Sequence, residues 1–117
     1  YPHHLNGNSN CKLDNFCEMV ARTAEIMDVK NLGIGSDLCL NQPDEIVEWM
    51  RNGTWTKKKV YGEGSVSNVG FPDQPSWFKD ARGFKNIENG LKKIGFNSDE
   101  INGILGNNWY NFYKGIN

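Results

Sequence analysis

The chain has no run approaching the ~20 apolar residues of a membrane span. It also has no charge excess: 13 basic residues against 14 acidic leave a net charge of −1, which removes the electrostatic reason to expect a nucleic-acid partner. The one basic run, Lys57-Lys58-Lys59, reads as a solvated loop. Cysteine is scarce. Cys11, Cys17 and Cys39 are odd in number and show no C-x-x-C spacing, so neither a redox pair nor a zinc ribbon is indicated. The spacing leaves a disulfide from Cys11 to either of the others open, with reduced thiols as the expectation. Gly62-Glu63-Gly64-Ser65 lacks the Lys-Ser or Lys-Thr that a phosphate loop carries into its helix. No leader pattern is visible, but the chain opens on Tyr1 and not on Met, so its silence about targeting and compartment carries no information.

What is present is enough for one domain: 117 residues, 38% hydrophobic and 12% aromatic. Residues 1–10 read as a loop of turn-forming Asn, Gly and Ser. His3 and His4 lie within it, but side chains adjacent in sequence point apart, and no nearby Asp, Glu or Cys completes a metal site. From Leu13 to about Met27, the residues Leu13, Phe16, Cys17, Val20, Ala24 and Met27 recur at spacings of three and four, which predicts an amphipathic helix. Gln42-Pro43-Asp44-Glu45 has the chemistry of a helix start, and Asn52-Gly53 that of its end. Asn52-Gly53-Thr54 also matches a glycosylation sequon but reads as that turn. Residues 55–81 form a long stretch punctuated by Gly and Pro and rich in aromatics, expected to be irregular and to pack on another surface. Asn86 to Lys93 predicts a helix with Ile87, Leu91 and Ile94 on one side, stopped by Gly95. Asn97 and Glu100 offer a capping box for a last helix carrying Ile101, Ile104 and Leu105. Trp109, Phe112 and Tyr113 are expected to lock down the fold.

The informative stretch is Asn31-Leu32-Gly33-Ile34-Gly35-Ser36-Asp37. Between two helical patterns, a short apolar run that closes on a carboxylate reads as a buried strand of a parallel sheet. Period-two alternation puts Gly33, Gly35 and Asp37 on one face and Leu32, Ile34 and Ser36 on the other. Catalytic groups of such sheets sit just beyond the strand ends. Asp37 is therefore either an active-site carboxylate or the cap of the following turn.

The same stretch resembles the last barrel strand of the membrane (renal) dipeptidase family of zinc metallopeptidases. Three further segments resemble that family in the same order: Phe16-Cys17-Glu18-Met19-Val20-Ala21-Arg22-Thr23-Ala24, Asn86-Ile87-Glu88-Asn89-Gly90-Leu91, and Ile104-Leu105-Gly106-Asn107-Asn108-Trp109. Family members are considerably longer, so the likeness implies that residues 1–117 form a single C-terminal segment of such an enzyme. The fold expected on that basis is α/β: a C-terminal fragment of a (β/α)8 TIM-like barrel, mostly helical with one or few strands.

The resemblance implies hydrolysis of dipeptides. Two zinc ions would bridge a hydroxide that attacks the scissile carbonyl. Asp37 matches the family's carboxylate beside the metal-bound solvent and the substrate nitrogen, which makes it the one catalytic and substrate-binding candidate. The family's His-x-Asp pair, bridging Glu, later histidines and substrate-binding Arg precede every matched segment. Two zinc ions are therefore expected in the intact enzyme and none on this chain alone. One departure bears on substrate preference: several members follow the Asp with Phe-Asp-Gly, where this chain has Leu38-Cys39-Leu40. A barrel fragment would leave strand edges and a helix face uncovered, so a homo-oligomer is expected. The other readings are a non-catalytic binding module that uses residues 55–81, and a structural piece with no activity of its own.

Overall fold

Leu13–Met27 is helical, as the apolar spacing predicts, and this helix (α1) buries Phe16, Cys17 and Val20. The computed structural model describes residues 11–38, 43, 45–46, 49 and 74–116. His3, His4, Cys39 and the sequon lie outside that set, as do most of the helix expected after Gln42 and residues 55–73 of the expected loop. α1 ends at Asp28, whose φ of 68° turns the chain away from the helix axis. Asp is among the few non-glycine residues that tolerate this region. Its amide closes the last turn on the Ala24 carbonyl at 2.9 Å, and its carboxylate accepts from the Lys30 amide at 3.3 Å. A short 3-10 turn, Val29–Asn31, follows.

Residues 32–38 then form no helix and no strand: the backbone is extended at Leu32 and turns left-handed at Asp37. The expected α/β barrel fragment is therefore corrected: among the described residues the protein is a small all-helical domain with no sheet. The alternation that predicted a strand is real. Leu32, Ile34, Ser36 and Leu38 are half-buried, whereas Gly33, Gly35 and Asp37 are exposed. An extended segment lying across helices produces the same period of two as a paired strand, because both follow from pleated backbone. The glycine face meets the Trp109 indole at Gly33 and open space at Gly35, not a barrel interior.

The chain re-enters the core at Trp77 and Phe78. Trp77 donates its indole N–H to the Cys11 carbonyl at 2.8 Å and packs on Phe16 with ring centroids 5.3 Å apart. Phe78 is buried and meets Phe84 edge-on at 5.1 Å. Asp80 caps a 3-10 turn, Ala81–Gly83, by accepting from the Arg82 amide. Hydrogen bonds from the Arg82 side chain and backbone hold its carboxyl down to about 2.

Helix α2, Phe84–Lys93, buries Ile87, Gly90 and Leu91. It stops where expected, at Gly95, whose φ of 107° suits glycine. Ile94 stays 37% exposed and does not complete the buried stripe. The predicted capping box opens α3, Ser98–Asn102: Asn97 Oδ1 accepts from the amides of Asp99 and Glu100, both at 3.0 Å. Glu100 returns an oxygen to the Asn97 amide at 2.9 Å. A wide π-type turn, Gly103–Asn107, then kinks at Gly106 into α4, Asn108–Lys114.

The core gathers Cys11, Phe16, Cys17 and Val20 with Phe78, Ile87, Leu91, Ile101 and Ile104. The aromatic end does not lock it down as expected. Trp109 is 42% exposed, and Phe112 and Tyr113 are 60% and 61% exposed. Cys11 and Cys17 are both buried free thiols, not a disulfide.

α1 and α2 meet where a side chain on one is missing. A Cβ built on Gly90 would lie 2.6 Å from Cys17 Sγ. Gly90→Ala should therefore lower stability by about 1–3 kcal/mol through overpacking. Adding Cys17→Ala should restore part of the loss, and thermal melts of the two variants check this. Burial also pushes the Cys17 thiol from 9.0 to about 11, with the Asp14 carboxylate adding to the shift. Between those values the unfolded chain loses the proton more readily than the folded one. The thiol's contribution is thus intact below pH 9 and declines as pH rises toward 11. Denaturant titrations at pH 8 and pH 10 should show a drop in stability that is smaller in Cys17→Ala.

Candidate functional site

Asp37 is exposed, near the end of the non-helical segment 32–38. Its φ of 47° makes it, with Asp28, one of two described non-glycine residues in the left-handed region. Asp is one of the few non-glycine residues that visit this conformation.

The segment that carries Asp37 is held from the C-terminal end of the chain. The Ile34 amide donates to the Ile104 carbonyl at 3.2 Å. Asn108 spends both hydrogens of its side-chain amide on this region, donating to the carbonyls of Val29 at 2.8 Å and Leu32 at 2.7 Å. Trp109 donates its indole N–H to the Ile34 carbonyl at 3.3 Å. Together these bonds replace the ladder that a sheet neighbour would have supplied.

Two glycines make the approach possible. A Cβ on Gly33 would collide with the Trp109 indole, so the ring lies flush on bare backbone. A Cβ on Gly103 would sit 2.9 Å from Asn108 Oδ1, so the wide turn leaves room for the amide to reach across. These partners lie outside the sequence-predicted site, and the Asn107-Asn108 pair by itself reads only as turn chemistry.

A groove of about 870 Å³ runs beside the clamp, walled by Met27, Leu32, Gly33, Trp109 and Phe112. Lys30, which lines it, is tied to Asp28 at 3.1 Å. That lining suits apolar contact and not proton transfer. Among the described residues no three His, Cys, Asp or Glu side chains gather where they could hold a metal ion. No helix among them is long and apolar enough to cross a membrane. Compared with known proteins, the chain matches no family model, no curated relative and no solved structure.

The Gly33–Trp109 contact is open to a direct check. Gly33→Ala should displace the indole, shift the Trp109 N–H resonance and cost about 1 kcal/mol. Gly35→Ala, which meets nothing within 4 Å, should stay within about 0.5 kcal/mol of wild type.

Proposed function

We propose that this chain is the C-terminal part of a zinc-dependent dipeptidase and that Asp37 is its contribution to the chemistry. The observation that carries the reading is the placement of Asp37. A carboxylate is held in an unusual backbone conformation, exposed, three residues past a segment bonded to another part of the chain. Turn capping alone gives no reason to secure the preceding segment in this way. Four segments resembling the membrane dipeptidases, in matching order, add the substrate class. Residues 32–38 form no strand, so the reading rests on these residues and not on a barrel.

The described residues do not fit a zinc ion. Bound elsewhere in the intact enzyme, the metal pair would supply the nucleophilic hydroxide. Asp37 would accept or return a proton at the dipeptide nitrogen as the peptide bond breaks. Self-association belongs to the same proposal, since Tyr110, Phe112, Tyr113 and Ile116 are each at least 60% exposed. That aromatic face also favours the second reading, a binding or structural piece with no activity of its own.

Asp37→Asn in the intact protein separates the two. It keeps the size of the side chain and removes the charge and the proton-accepting oxygen. A proton-transfer role requires kcat for dipeptide hydrolysis to fall by roughly 10²–10⁴, with zinc content by elemental analysis unchanged. Normal turnover with a lowered melting temperature would return Asp37 to turn capping.

A further inference from the structure

We propose that Asn108 is the positioning residue for Asp37: its side-chain amide sets the conformation of residues 32–38 and through it the place of the carboxylate. The inference rests on the catalytic reading of Asp37 and adds a residue to which neither the resemblance nor the sequence assigned a role. One amide nitrogen bridges two carbonyls, those of Val29 and Leu32, at 2.8 and 2.7 Å across 79 and 76 residues of sequence. Both partners are acceptors, so only the donor end of the side chain can face them. The bridge spans the point where the 3-10 turn gives way to extended backbone, and so fixes the angle at which the segment leaves.

The surroundings are built for that contact. Gly103 leaves the space Asn108 occupies, and the neighbouring Trp109 fastens Ile34, the next residue but one after Leu32. With Leu32 tied to Asn108 at the start of α4 and Ile34 tied to Ile104 in the turn before it, two residues separate the last anchor from Asp37. A carboxylate serving proton transfer needs its place set to a fraction of an ångström. The anchors that set it are Asn108 and its neighbours.

Asn108→Asp is the discriminating substitution. It keeps the side-chain shape, replaces the donor by an acceptor and turns it against two carbonyls. Asn108→Ala removes both bonds without repulsion and in a good helix former, so it serves if the Asp variant does not fold. Two measurements decide. In the 117-residue chain, hydrogen exchange at the Ile34 amide should speed up about tenfold or more, while Leu91, in the core of α2, keeps its protection. In the intact enzyme, kcat should fall about 10- to 100-fold with KM within about twofold of wild type. The same substitution placed on Asp37→Asn should then cost less than about twofold, because a residue acting only through Asp37 has nothing left to position. Equal losses in both backgrounds overturn the proposal, as does unchanged exchange at Ile34. If Asp37→Asn alone leaves kcat untouched, the catalytic reading fails and the positioning role fails with it. The exchange measurement still reports separately whether Asn108 holds the segment.

Discussion

Backbone that leaves helical geometry must find new partners for its amides and carbonyls, and the structure around Asp37 turns on how that demand is met. In a sheet the neighbouring strand answers it residue by residue. Here three groups from the C-terminal turn and helix do so: the Ile104 carbonyl, the Asn108 amide and the Trp109 indole. The rest of the arrangement follows. Gly33 and Gly103 are small because the clamp passes over them. α3 is short because the chain must widen and kink at Gly106 to carry Asn108 to its carbonyls. Ile101 and Ile104 are buried in one cluster with Phe16, Cys17 and Val20 of α1 and Ile87 and Leu91 of α2.

The parts of the fold legible in the sequence are those whose causes are local. α1 runs from Leu13 to Met27 because its apolar residues repeat at helical spacing. The Asn97–Glu100 box and the Gly95 stop depend on residues within a few positions of one another. The strand was misread for a reason of the same kind. Leu32 and Ile34 alternate with glycine whether the segment pairs in a sheet or lies across helices. The choice is made by Asn108, more than seventy residues away, and nothing near Leu32 records it. Trp109, Phe112 and Tyr113 were misread in the opposite sense. Their composition is that of a core, but one face of a seven-residue helix cannot bury them all.

Of the candidate site, only Asp37 could be read from the sequence, as a carboxylate closing an apolar run. Its left-handed backbone is a three-dimensional outcome, and so is the grip on residues 32–34. The signal that could have pointed to Asn108 is weak: an amide beside a tryptophan, just past a glycine where a helical pattern breaks. Glycines 33 and 35 illustrate the same limit. Both are flagged by their rarity in strands, yet one lies under an indole and the other faces open space.

The reach of the clamp also orders events in time. Synthesis proceeds from the N-terminus, so α1 and the Val29–Asn31 turn exist well before Asn108 and Trp109 emerge. The bonds that fasten residues 32–34 close loops of more than seventy residues, the kind of contact that forms late and slows folding. Until Ile104 and Asn108 are made, the Ile34 amide and the Leu32 carbonyl must be satisfied by water or by a passing chaperone. A chain cut just before Asn108 keeps every residue of the buried core yet loses the Asn108 and Trp109 bonds to the Asp37 segment.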